Sequence, residues 1–372
     1  MRNPFHYGTP VSGEHFAGRE SELRALTSRM RDGINVVVVS PRRYGKTSLL
    51  SAAAGSLERS GAAVVQVNVL RCRDLRTLAG QLVTHAYRAK GGRWHRLRQA
   101  VPEFLRRFRV APMVVFEGDR PRFEFSPSLS SSDSDAVIAD VYALLAELAE
   151  KRPAVLVLDE FQAVTDLGTH LPSLFKALSD EHPAVSLVLA GSKKHLMERL
   201  VVDRDAPLYG MAEHFALDVV PAEVMAQYLV RRCEAGGKRM SATVAAQLVE
   251  LSGPVPNDIQ HLAYEVFDVA GRTVTEDDVR EGLRRAVAHE AGLHADRYEA
   301  LSPGQRRVVS ELASAPVERP MAGQFVRAVG LANPSSVRKA IEALVADELV
   351  EVRSGAYRVA NPFFAAWLRE SP

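Results

Sequence analysis

Gly45, Lys46 and Thr47 stand together near one end of the chain, and the carboxylates Asp159 and Glu160 stand side by side more than a hundred residues later. A cation and a hydroxyl after a glycine suit phosphate oxygens and a metal ion. Two adjacent acids suit a metal ligand next to a water-activating base. The first group closes the run Ser40, Pro41, Arg42, Arg43, Tyr44, Gly45, Lys46, Thr47, Ser48. This fits the phosphate-loop pattern GxxxxGK[ST] apart from Ser40, which replaces the first glycine. In such a loop, backbone N–H groups cradle phosphates and Gly45 lets the backbone approach. Lys46 reaches the β- and γ-phosphates, and the Thr47 hydroxyl meets Mg²⁺. Arg42 and Arg43 are loop charges, solvated or paired with phosphate.

These side chains need elements that bring them together. Val36 to Val39 are four consecutive valines, the pattern of a strand buried on both faces in a parallel sheet. The apolar period turns helical after Thr47. Ala154 to Leu158 form a second buried strand that ends on Asp159 and Glu160, the Walker B arrangement: Asp159 holds Mg²⁺ and Glu160 orients the attacking water. Val185 to Ala190 form another strand, ending at Gly191, Ser192, Lys193 and Lys194. Sites of this kind gather at the carboxyl ends of parallel strands, so Ser192 is placed to sense a γ-phosphate or its attacking water. Lys193 or Lys194 either adds positive charge there or caps a solvated turn. Ala62 to Val67 and His214 to Val220 supply two more strands. The strand-end acids and the helices that follow favour hydrolysis over phosphate transfer to a small molecule.

At 372 residues, 47% hydrophobic and 25% charged, the chain suits a soluble protein of two or three domains. A net charge of +2 gives no global pull toward nucleic acid or membrane. Cys72 and Cys233 form no disulfide framework or metal spacing, no apolar run approaches a membrane span, and the first residues lack a signal-peptide core. A cytoplasmic location follows as the expectation.

Two stretches carry charge of their own. Between His85 and Arg109 lie eight basic residues and one acid, interleaved with Trp94, Leu97, Val101, Phe104, Leu105 and Phe108 at helical spacing. That is either a basic face for nucleic-acid phosphates or a solvated face over a core stripe. Met113–Glu117 and Arg122–Phe125 read as a hairpin. Ser126 to Ser134 read as a polar segment before a helix from Ala136 to Lys151.

Helical periods cover Ala222–Ala235, Ser241–Leu251, Pro256–Val269 and Thr275–Leu293. A compact C-terminal part follows, with helices starting at Ser302, Ala322 and Pro334 and two strands around Ser354 and Gly355: a winged helix. Ser335, Ser336, Arg338 and Lys339 lie on its recognition helix and Arg353 on its wing, types that contact phosphates and base edges. Nine basic against seven acidic residues make that part only weakly positive, so a protein-contacting or self-contacting role stands beside DNA reading.

Taken in order, Asn3-Pro4-Phe5, Phe16-Ala17-Gly18-Arg19-Glu20, the phosphate loop, Leu158 to Gln162, Ala190-Gly191-Ser192, Pro207-Leu208-Tyr209-Gly210 and Asn361 to Leu368 resemble the archaeal-type ATPase family. That family lies in the AAA+/STAND branch of P-loop NTPases and is related to origin-recognition initiators. The resemblance implies an α/β fold: a five-stranded parallel sheet of order 5-1-4-3-2, a helical lid and a C-terminal winged-helix domain. The corresponding domains are residues 1–220, 221–295 and 296–372, with a basic insertion at about 88–135. It implies ATP and Mg²⁺ as ligands, Phe16 to Arg19 beside the adenine, Pro256 as the lid proline touching the base, and Ser192 as the sensor residue. It further implies a slowly hydrolysing switch acting with duplex DNA, a protein partner or further copies of itself, and no membrane. Three departures stand out: Ser40 for glycine, Gly253-Pro254-Val255-Pro256 for Gly-Gly-x-Pro, and Met211 where an arginine is usual after Leu-Tyr-Gly.

Overall fold

The structure, a computed structural model, describes residues 2–11, 16–90, 101–118 and 120–370. The chain divides into two units, one of Pro10–Val219 and one of Val220–Pro372 joined by residues up to Thr9. The first unit runs α1 (Glu20–Arg31), β1 (Val36–Val39), α2 (Lys46–Arg59), β2 (Ala63–Asn68), α3 (Leu75–Lys90), β3 (Met113–Glu117), β4 (Arg120–Glu124), α4 (Ser131–Ala149), β5 (Ala154–Asp159), α5 (Leu171–Glu181), β6 (Val185–Gly191) and β7 (Glu213–Ala216).

Five of these strands form one parallel sheet in the order β2-β5-β6-β1-β7. Counting only these five along the chain and reading from the other edge, the order is 5-1-4-3-2, as the family resemblance implied. The two-residue period of each strand sorts its side chains between two cores. Val37, Val65, Leu156 and Leu187 enter one with α3 and α4. Val36, Val38, Val64, Val155, Val157 and Val188 enter the other with α1 and α2. A strand buried on both faces must be apolar throughout, which accounts for the four valines of β1. All these parallel strands end on one edge, where β1 hands over to α2, β5 ends on Asp159 and β6 ends on Gly191.

The hairpin β3-β4 forms with Met113 opposite Glu124, and its second strand starts at Arg120, two residues before the expected start. The serine-rich segment corrects an expectation. The helix begins at Ser131 rather than Ala136, because Ser130 accepts from the Asp133 N–H and Asp133 accepts back from Ser130, a capping box. In the basic stretch, Val101, Phe104 and Phe108 are buried and Arg106, Arg107 and Arg109 are exposed. Arg107 pairs with Glu147, and Arg109 with Asp140 at 2.9 Å. The solvated face over a core stripe is therefore the observed arrangement there; Arg93, Trp94, Arg96, Leu97 and Arg98 lie outside the described residues.

In the second unit, α6 (Ala222–Ala235), α7 (Ala242–Ser252), α8 (Pro256–Val269) and α9 (Glu276–Glu299) form a helical array. The N-terminal residues, expected with the sheet, pack here: Phe5 is fully buried edge-on to Phe267, Asn3 donates to the Tyr264 carbonyl at 3.0 Å, and Arg232 donates to the Pro4 carbonyl at 2.9 Å. Helix α9 runs on past Leu293, so position 295 falls inside a continuous helix. The winged helix follows as α10 (Pro303–Ser314), α11 (Gly323–Ala328), α12 (Pro334–Ala346), β8 (Val350–Arg353), β9 (Ala356–Val359) and α13 (Pro362–Glu370). Helix α13 was not read from the sequence. Asn361 caps it through the N–H groups of Phe363 and Phe364, and Phe364 and Leu368 join the winged-helix core. Among the described residues no helix is long and apolar enough to cross a membrane.

Candidate functional site

The loop between β1 and α2 brings Lys46 and Thr47 to the same edge as the end of β5. Gly45, at φ +85°, is the N-cap of α2, a left-handed conformation that favours glycine. No side chain caps this helix and its first turn holds no acid. The uncapped N–H groups and the positive end of the helix make a cradle for an anion. A Cβ built on Gly45 meets nothing within 4 Å, so open space lies over the cradle.

Lys46 is 5% exposed, with its Nζ 2.9 Å from Glu160 Oε1 and 3.7 Å from Asp159 Oδ1. The Thr47 hydroxyl donates to Asp159 Oδ2 at 2.8 Å. On the neighbouring strand Ser192 donates to Glu160 Oε2 at 2.8 Å. Residues from three distant stretches therefore meet in one pocket. Thr47 and Asp159 are hard oxygen donors side by side at a helix N-terminus. That donor set fits Mg²⁺, which takes one or two protein oxygens and fills its remaining positions with phosphate and water.

Glu160 sits in a left-handed backbone conformation, φ 54° and ψ 43°, uncommon for a residue with a side chain. It aims its carboxylate back at Lys46 and Ser192. Burial alone would raise its pKa; bonds from Gln162, Lys46 and Ser192 outweigh that and hold it below the ordinary glutamate range. It is therefore ionised at neutral pH.

Two neighbours escaped the sequence reading. Gln162, 6% exposed, donates from Nε2 to Glu160 Oε2 at 2.5 Å. Asn68, at the end of β2, has Nδ2 3.5 Å from Asp159 Oδ2. For Asn68 the available signal was its place at the end of the strand flanking the Asp159 strand.

Arg19 is 3% exposed; it donates to the Tyr44 carbonyl at 3.3 Å and to Glu22 at 2.8 Å, so it braces the phosphate loop from below. Phe16 packs beside Leu23 and Phe215. Ser48, buried, accepts from the Val11 N–H at 3.0 Å. Ser40, the odd first loop residue, is buried, with its hydroxyl lacking a hydrogen-bond partner and its N–H 3.3 Å from the Gly191 carbonyl. Pro41, Arg42 and Arg43 are exposed in the loop and Tyr44 is buried. Met211 packs against the core. Pro256 belongs to the other unit, as the first residue of α8.

On the winged helix, Arg338 and Lys339 are exposed on α12. Ser335 and Ser336 bond to Asn333, the cap of that helix. Arg353 pairs with Glu351 and is 20% exposed.

A parallel sheet with a phosphate loop and strand-end acids in one pocket defines a P-loop nucleotide-binding fold. Residues 15–189 match the AAA ATPase domain family, and residues 294–370 match a family described as a probable winged helix domain. The chain therefore carries an AAA ATPase domain and, after it, a winged helix domain. Its fold is similar to a Walker-type ATPase of Pyrococcus abyssi at 19% identity and TM-score 0.68, covering 98% of this chain and 99% of that one. It is also similar to the Aeropyrum pernix ORC2 protein in its ADP form (14% identity, TM-score 0.53, 98% and 97% covered). The Aeropyrum pernix ORC1 protein in complex with DNA gives 16% identity and TM-score 0.50, with 98% and 94% covered. Comparison with curated protein sequences gives no match.

Proposed function

We propose that the chain is a cytoplasmic, STAND-type switch that binds ATP with Mg²⁺, hydrolyses it slowly, and acts with duplex DNA through its winged helix. The observation that carries the nucleotide chemistry is the convergence of Lys46 and Thr47 on Asp159 and Glu160. On this reading, Lys46 and the N–H groups of Gly45 to Ser48 neutralise the phosphates. Thr47 and Asp159 would hold Mg²⁺, which would supply charge neutralisation at the phosphates. Glu160, ionised and aimed by its neighbours, orients the attacking water, and Ser192 reports on the γ-phosphate side. Arg19 holds the loop through Tyr44, and Phe16 borders the base. Positioning and charge stabilisation do most of the work in such phosphoryl transfers.

DNA association is supported by the exposed Arg338 and Lys339 on α12 and by the fold shared with a protein solved on DNA. A second reading, a nucleotide-dependent protein-interaction switch with self-assembly or a protein partner, is favoured by one observation: Arg353 on the wing is engaged by Glu351 instead of standing free for phosphate. Measuring ATP turnover with and without duplex DNA, across protein concentration, separates the two. Stimulation by duplex at fixed protein supports the first. Stimulation by protein concentration alone supports the second. No hydrolysis under any condition overturns both.

A further inference from the structure

Gln162 follows Glu160 by two residues, in the turn Phe161–Ala163 that leaves β5. Its amide is an unequal pair. Nε2 donates to Glu160 Oε2 at 2.5 Å, while Oε1 is buried without a hydrogen-bond partner. A buried acceptor left unmet is costly, so the side chain is held in place by its donor end alone. Its path also uses space on the far side. A Cβ on Gly191 would lie 2.7 Å from Gln162 Oε1 and 2.4 Å from the Met197 side chain, so the absent Cβ at the end of β6 gives this rotamer its room.

From this geometry we infer that Gln162 is a positioning residue that fixes the orientation of the Glu160 carboxylate for water activation. The inference rests on the proposed role of Glu160. Oε2 receives both Gln162 and Ser192, at 2.5 and 2.8 Å, whereas Oε1 faces Lys46. The amide therefore pins one oxygen to the sheet edge, leaving the other with the ammonium. When Lys46 turns to phosphate, the two neutral donors keep the carboxylate from rotating.

Gln162→Met tests this. It keeps the volume over Gly191 and removes the unmet acceptor together with the donor, so the fold is expected to survive. KM for ATP should change by less than about twofold, while kcat falls about tenfold to a hundredfold, the usual cost of misplacing a reacting group. ATP should still bind at one per chain, so the fall in kcat is not one that a loss of folded protein produces. Glu160→Gln is run beside it. If that control leaves turnover intact, the reading of Glu160 fails. If it abolishes turnover but Gln162→Met leaves kcat unchanged, the inference about Gln162 alone is overturned.

Discussion

Replacing Lys46 by Met keeps the bulk of a 5% exposed side chain and deletes the charge facing two acids. At 2.9 Å and an effective dielectric of about 20, the direct attraction to Glu160 is about 6 kcal/mol. Desolvation of both groups offsets most of it, which leaves a net coupling of about 2 kcal/mol. Removing one partner also strands the others: Asp159 and Glu160 remain adjacent and largely buried. The expected loss in Lys46→Met is then about 3 kcal/mol, at the low end for a broken buried pair because Glu160 retains 17% exposure and other donors. For a unit of this size that is a fall of about 6–12 °C in Tm. Glu160→Gln alone should cost about 1 kcal/mol, since Lys46 keeps Asp159 at 3.7 Å. In the double variant the losses should not add. It should be less destabilised than the sum by about 2 kcal/mol, read from urea unfolding without nucleotide. Additivity to within about 0.5 kcal/mol would refute the pairing, because independent sites add to that tolerance.

Further outcomes follow from the same contacts. Because the folded Glu160 pKa lies below its ordinary value, its contribution to stability is present above the carboxylate range and lost as pH falls through it. Wild type should therefore lose stability on acidification more steeply than Lys46→Met, in paired unfolding curves from about pH 6 to 3. Arg19→Met removes a brace on the Tyr44 carbonyl, so affinity should fall equally for ATP and GTP; a loss confined to ATP would show that Arg19 reads the base. Paired substitutions Arg338→Glu and Lys339→Glu should lower duplex affinity and reduce the slope of log K against log salt by about 2.

Much of this was legible because it depends on local chemistry. The valines of β1 and the apolar run before Asp159 encode their burial directly, and Gly-Lys-Thr can only work at a strand-to-helix turn. The sheet order came from the family resemblance. Gln162 was not legible: an amide two residues past a strand could point anywhere, and its route to Glu160 depends on the left-handed turn at Glu160 and on the missing Cβ of Gly191. The start of α4 was written in Ser130 and Asp133 but masked by serine-rich composition. The contact of Arg19 with Tyr44 was not legible, because it joins segments 25 residues apart. Packing of the N-terminal residues on α6 and α8 was a long-range choice that an Asn-Pro-Phe tripeptide does not announce.

In the proposed function, one pocket both holds nucleotide and turns it over. Equilibrium binding of radiolabelled ATP with Mg²⁺, followed by analysis of what stays bound, tests it in wild type and Glu160→Gln. Glu160→Gln should retain one ATP per chain unhydrolysed while wild type accumulates ADP, the rates differing by about a hundredfold or more. Equal ADP in both, or no retained nucleotide in either, would contradict it.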